Sequence, residues 1–83
     1  LSNYLIYPVP NNGSFYIQYQ LKQNAEGQII IRDLAGKEVF VTNETGYSGN
    51  NSLVIEQNKI SNGLYFVELN FGGQSVTRKL IVQ

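Results

Sequence analysis

The sequence predicts an all-β fold, a seven-stranded antiparallel β-sandwich. Apolar and polar residues alternate with a period of two along much of the chain, which is typical of strands with one buried face. Asn and Gly clusters interrupt the alternation at short intervals, as turns between antiparallel strands require. A chain of 83 residues with 42% apolar content is expected to form one domain, residues 1–83, around one modest core.

The alternation is clearest over 15–21, where Phe15, Ile17, Tyr19 and Leu21 share one face and Gln18 lies on the other. A first strand is predicted over 4–7. Short strands at this spacing favour an Ig-like sandwich. The same period predicts buried positions in five further strands: Ile29 and Ile31; Val39 and Val41; Leu53 and Ile55; Tyr65, Val67, Leu69 and Phe71; and, less regularly, Val76, Leu80 and Val82.

Turn signals separate these strands. Gly72-Gly73 is the clearest, because a two-residue hairpin loop needs positive φ at one or both central positions, and it is expected to join the last two strands. The stretch 43–51 is rich in Asn, Gly, Ser and Thr, so it is predicted to be a longer connection that crosses between sheets or carries a mobile loop. The other turn signals lie at 11–13, 24–27, 34–37 and 61–63.

The composition argues against several functional classes. The chain has no His and no Cys, which removes the commonest general base, the thiolate nucleophile and the commonest transition-metal ligands. The six Lys and Arg balance the six Asp and Glu without a basic run, so a nucleic-acid partner is not expected. No apolar stretch is long enough to span a bilayer. We therefore expect no enzymatic activity, no metal, no cofactor and no membrane span.

Three local features allow weak chemical hypotheses. Gly36-Lys37 lacks the other residues of a phosphate-binding loop and is better explained as a turn in which Asp33 caps backbone amides. Tyr16 is predicted to point away from the core, where it could stack on a sugar or pack at a sheet edge. Oxygen atoms that could ligate calcium occur without the dense Asp spacing of dedicated sites, at Asn43, Glu44, Asn50 and Asn51.

Four motifs in fixed order carry a family resemblance: YPVPNNGSFYI at 7–17, IIIRDLAGKEV at 29–39, ISNGLYFV at 60–67 and KLIV at 79–82. Together they resemble the type A C-terminal sorting domain of proteins exported by the type IX (Por) secretion system of Bacteroidetes. The resemblance covers essentially the whole chain. One departure is Val9, where family members commonly carry Asn between the two prolines.

The resemblance implies an address label. A parent cargo protein upstream would cross the periplasm, be presented by this domain to the type IX translocon, and reach the outer-membrane surface or the medium. A sortase-like peptidase at the surface would usually remove the label. The absence of methionine suits a domain cut from a larger protein.

The motifs supply the candidate recognition residues. Two prolines would stiffen the approach to the second strand, and glycines would fix the turns. The run 78–82 is expected to form an edge strand, which could join a partner sheet or allow an edge-paired or domain-swapped dimer. The candidate residues are Pro8, Pro10, Asn11, Gly13, Gly36, Lys37, Gly63, Tyr65, Lys79, Leu80, Ile81 and Val82.

Two other functions fit the same composition. A non-catalytic carbohydrate-binding or fibronectin-like accessory module of a secreted protein shares the size, strand number and lack of catalytic groups. A structural spacer or adhesin repeat is the third interpretation, and it predicts further copies of the motifs upstream.

Overall fold

The described residues of the chain form seven antiparallel strands in two sheets, as the alternation predicts. The computed structural model describes residues 2–8, 12, 14–56 and 60–83. The strands are β1 (Ser2–Tyr7), β2 (Ser14–Leu21), β3 (Ala25–Arg32), β4 (Glu38–Gly46), β5 (Gly49–Glu56), β6 (Gly63–Phe71) and β7 (Gln74–Val82). One sheet has the order β1-β2-β5 and the other β4-β3-β6-β7. No helix among the described residues is long and apolar enough to cross a membrane.

The core lies between the two sheets and is built from alternate residues of their inward faces. Phe71 of β6 stacks on Tyr19 of β2, with the ring centroids 4.9 Å apart, and so ties one sheet to the other. The side chains that are buried almost completely are Phe15, Ile17, Ile29, Ile31, Val67, Leu69, Phe71 and Leu80.

The last hairpin confirms the prediction made from Gly72-Gly73. These two residues connect β6 to β7 with φ values of 57° and 78°, the left-handed conformation that glycine adopts without strain. The β7 strand is an edge of the four-stranded sheet, as expected.

The predicted inward face of β4 is wrong. Val39 and Val41 are 39% and 43% exposed, while Phe40 and Thr42 point inward. Gly46 favours this phase, because a Cβ there would lie 2.3 Å from the Leu21 Cδ1 and the buried Leu21 side chain would have to move. Gly46 shares its face with Phe40 rather than with the valines.

The prediction of a long connection over 43–51 is wrong in length, although the chain does cross between sheets there. Only Tyr47 and Ser48 lie between β4 and β5. Two side-chain amides hold this short connection in place. Asn24 Oδ1 accepts a 2.8 Å hydrogen bond from the Ser48 N–H, and Asn51 Oδ1 accepts one of 3.0 Å from the Tyr47 N–H. The polar composition of this stretch therefore reflects a tight crossover.

Candidate functional site

Several strand ends meet at one end of the sandwich, which we call the motif end. It is the end at which β1 and β3 finish, β2 and β6 begin, and β7 stops. The register places Ser14 opposite Glu56 in one sheet and Gly63 opposite Val82 in the other. Connections 22–24 and 47–48 join the two sheets at the opposite end. The described parts of all four sequence motifs therefore reach the same end.

The turn between β3 and β4 is held by Asp33. Its Oδ1 accepts hydrogen bonds from the N–H groups of Ala35 at 2.9 Å and Lys37 at 3.0 Å. Its backbone carbonyl accepts from the Gly36 N–H at 3.0 Å, and Gly36 has a φ of 87°. This confirms the capped turn predicted from sequence, and β4 begins directly after it at Glu38. The Lys37 side chain is exposed at this turn.

A hydrogen bond from a core residue holds the segment before β6 at the motif end. The Tyr65 hydroxyl donates a 2.7 Å hydrogen bond to the Ser61 carbonyl. A shallow depression lies between this segment and the Asp33 turn, with Leu34, Asn62 and Tyr65 in its lining. Leu34 is 69% exposed at its rim, so the motif end presents an apolar side chain to solvent.

The C-terminal motif is divided between the core and the surface. Leu80 and Val82 are buried, whereas Lys79 and Ile81 point to the outer face of the four-stranded sheet. In the pairing of β7 with β6, Lys79 lies directly opposite Phe66 and Ile81 lies directly opposite Leu64. We call these four outward residues, Leu64, Phe66, Lys79 and Ile81, the outer patch. Leu64 also lines the depression, so the outer patch and the motif end form one continuous surface.

The charges around the outer patch are uneven. Arg32 makes an ion pair with Glu68 and a second one with Glu38, at 3.4 Å. Side-chain hydrogen bonding from Asn70, followed by that from Arg32, lowers the pKa of Glu68. No ion pair within the described ranges involves Lys37 or Lys79. Among the described residues, Lys79 therefore adds a positive charge without an ion-pair partner to the outer patch, and Lys37 adds another at the motif end.

Comparison with known families settles what kind of domain carries this surface. A family model described as a secretion system C-terminal sorting domain matches residues 5–83. The chain belongs to this family. No curated protein matches the chain. The sorting domain is the export signal of the type IX secretion system, which implies interaction with that machinery and a cargo upstream.

The sorting domain places its predicted recognition residues in three environments. Pro8, Gly36, Lys37 and Gly63 are exposed at the motif end. Lys79 and Ile81 belong to the outer patch, and the core contains Tyr65, Leu80 and Val82. Pro10, Asn11 and Gly13 lie outside the described residues.

Sequence reasoning missed two members of the outer patch, Phe66 and Leu64. Phe66 is 38% exposed although it is a large aromatic residue. The signal was present in the run Leu64-Tyr65-Phe66-Val67, because alternation in a strand must send one of two adjacent aromatic rings outward. Apolar residues on both faces of this strand therefore indicated a second buried or binding surface.

Strand geometry shows where the side chains of the remaining chemical hypotheses point. Tyr16 points outward, as predicted, and its ring stacks on that of Tyr7 with centroids 5.2 Å apart. Among the four oxygen-bearing residues considered for calcium, Glu44 faces inward and Asn43 outward, so they do not converge. No group of three or more acidic side chains in the described part of the chain could hold a metal ion.

Proposed function

We propose that this sorting domain is a non-catalytic export label that is recognised through its motif end and outer patch. In this account it carries a parent protein through the periplasm to the type IX translocon and on to the cell surface or the medium. A sortase-like peptidase at the surface then removes the label. The proposal extends the family assignment to a surface, a route and a processing step.

The observation that carries the proposal is the distribution of the C-terminal motif. Leu80 and Val82, the buried half of the motif, are needed to fill the core. The outward half of the motif is not explained by core packing. Lys79 and Ile81 join Phe66 and Leu64 in a partly exposed apolar patch, and Lys79 forms no ion pair within the described part of the chain. Apolar patches rimmed by polar groups mark interaction sites. A folded label needs such a surface, because a receptor cannot contact residues that are in the core.

The experiment places these 83 residues behind a fluorescent reporter with a periplasmic signal peptide, in a Bacteroidetes host with and without its type IX translocon. We expect the reporter to reach the surface or the medium only when the translocon is present. Mass spectrometry of the exported reporter then locates the cut. Retention in the periplasm of both hosts would contradict the proposal, and export of an uncut fusion would contradict its processing step.

A neutral glycan is a second candidate ligand, favoured by the outer face of the three-stranded sheet. Tyr7 and Tyr16 are 36% and 44% exposed there, and Gln18 donates a 3.1 Å hydrogen bond to the Tyr7 hydroxyl. Aromatic rings beside uncharged amides suit sugar stacking and hydroxyl recognition. Screening against neutral glycans, with Tyr16→Ala as the control, tests this alternative. Equal signals from the parent and the variant would dismiss it.

A further inference from the structure

The two sheets differ in strand number, and the difference leaves one side of the sandwich open. The inward residues of β3, such as Ile29 and Ile31, are fully buried. On the inward face of β4, Gly46 is buried, but Phe40, Thr42 and Glu44 are only half-buried. Because β4 is the edge strand on the same side as β5, an additional strand beside β5 would cover them. Among the described residues, the three-stranded sheet therefore has no strand at this position.

The opposite side of the sandwich is closed and its edges are protected. The β1 strand has a register shift between Ser2 and Leu5, and β1 and β7 approach each other. Inward-pointing Arg78 of β7 lies over the Tyr4 ring, 5.3 Å from its centroid, and Lys79 follows on the same edge. Bulges and inward or edge charges are the usual devices that prevent a sheet edge from pairing with another chain.

The β5 edge has none of these devices. It pairs with β2 through eight consecutive residues, from Gly49 to Glu56, without a register shift. It contains no Lys, Arg or Pro, and its only charge is Glu56 at the last position. Alternate backbone groups of an antiparallel edge strand face away from its neighbour. An edge strand of this length, with a continuous register and a single charge at its last residue, is a template for strand addition.

The side chains that border the open position define what a complementary strand would carry. Phe40 and Leu53 are half-buried apolar residues that pack against the core from β4 and β5. Glu44 accepts a 3.2 Å hydrogen bond from the Thr42 hydroxyl, and it forms no ion pair within the described ranges. Burial, followed by the charge of Glu44, raises the pKa of Tyr19, an inward residue of β2. The Glu44 carboxylate thus faces the gap between the sheets.

We propose that β5 is a docking edge for an extended segment of another protein, which adds as a fourth strand to the three-stranded sheet. The segment alternates apolar residues, one of which covers Phe40, with a Lys or Arg on the same face that meets Glu44. Because Phe40 and Glu44 are four positions apart on one strand, the apolar residue and the cation are separated by the same interval. The proposal does not depend on the proposed export function.

A second copy of this chain fits the edge less well. Pairing of β5 with β5 would bring no cation to Glu44, because β5 contains neither Lys nor Arg. It would also leave the carboxylate in the gap without a charged partner, which burial makes unfavourable. Charge complementarity therefore favours a basic partner strand over self-association.

The first test uses a ten-residue synthetic probe in which Val and Thr alternate and one Val is replaced by Lys. Titration of the labelled chain followed by NMR is expected to shift the amides of residues 49–56 most and to slow their hydrogen exchange. Two control peptides are N-methylated at the odd or at the even residues. Since only alternate N–H groups of the added strand face β5, one control should lose binding and the other should keep it. Equal binding of both controls, no binding of the parent probe, or shifts centred on β7 would overturn the proposal.

The second test addresses the charge. Glu44→Gln should weaken binding of the Lys probe by about threefold, as expected for a partly exposed ion pair. Glu44→Lys should restore affinity for a probe in which Lys is replaced by Glu. Asn43→Lys is the matched control, because it also raises the net charge by one but lies on the outer face of the same strand, and it should leave binding unchanged. Melting curves establish that each variant folds. An unchanged affinity for Glu44→Gln, or concentration-dependent self-association without probe, would contradict the proposed partner.

Discussion

The Tyr65 hydroxyl and the Ser61 carbonyl are 2.7 Å apart, and this hydrogen bond ties the segment before β6 to the core at the motif end. Tyr65 is 8% exposed, so its ring belongs to the core while its hydroxyl reaches the surface segment. The bond therefore links the packing of the sandwich to the shape of the surface that we propose is recognised.

Tyr65→Phe is expected to lower the free energy of unfolding by about 1 kcal/mol, because the ring stays in place while the hydrogen bond is lost. Hydrogen exchange at residues 60–63 should become faster. Denaturant unfolding and exchange measured by NMR provide the two readouts. Unchanged exchange in this segment would show that the bond does not hold it.

Tyr4→Phe is expected not to lower the free energy of unfolding, in contrast to Tyr65→Phe. The Tyr4 hydroxyl is buried and has no hydrogen-bond partner in the described structure, and burial raises the pKa of this side chain. Removing an unpaired buried hydroxyl should leave stability unchanged or raise it by about 1 kcal/mol. Because both variants remove one tyrosine hydroxyl, each serves as the control for the other in the same unfolding assay. A similar decrease in the free energy of unfolding in both variants would contradict this account.

Gly27→Ala is expected to be among the most damaging single-methyl changes in the chain. A Cβ at this position would lie 2.2 Å from the Asn70 carbonyl oxygen and 2.4 Å from the Phe71 ring. Overpacking of this kind costs about 1 to 3 kcal/mol. Ser52→Ala, at an exposed strand position, is the control and should be nearly neutral in thermal melting. Equal melting temperatures for the two variants would show that β3 and β6 separate easily at this point.

The sequence predicts the strands well because their alternation is locally unambiguous. In β2, Phe15, Ile17 and Tyr19 alternate with polar residues, so only one phase buries them. In β4, apolar residues occupy both faces at Val39, Phe40 and Val41, and the phase is favoured by Gly46, which meets Leu21 and Phe71 across the core. A contact with residues so distant along the chain leaves no signal in the local pattern.

The candidate surface could be predicted from the sequence only in part, because it also depends on contacts between strands. The motifs identified Lys79 and Ile81, but the division between surface and core depends on how β7 pairs with β6. Phe66 and Leu64 gain their significance only from that pairing. The prediction of a long connection over 43–51 fails because local composition does not show that the Asn51 side chain, together with that of the distant Asn24, caps a two-residue crossover.

Lowering the pH should reduce the free energy of unfolding, because Glu68 becomes protonated. Hydrogen bonding from Asn70 and from Arg32 lowers the pKa of Glu68 below its ordinary value of 4.5. A carboxyl with a lowered pKa in the folded state contributes stability above its unfolded pKa, and this contribution is lost as the pH falls through the folded value. Glu68→Gln should therefore unfold less steeply with acid below about pH 4.5 than the parent chain. Identical pH profiles would show that Glu68 is not the responsible group.

The central claim is that the outward half of the C-terminal motif is recognised during export. The most direct measurement compares export of a reporter fused to the parent chain, to Lys79→Ser with Ile81→Ser, and to Leu5→Ser with Val54→Ser. The last pair is the matched control, because Leu5 and Val54 are 52% and 51% exposed on the outer face of the other sheet. We predict that the Lys79 and Ile81 variant folds, as shown by its melting curve, but remains in the periplasm, while the control is exported like the parent. Normal export of the folded Lys79 and Ile81 variant would contradict the account.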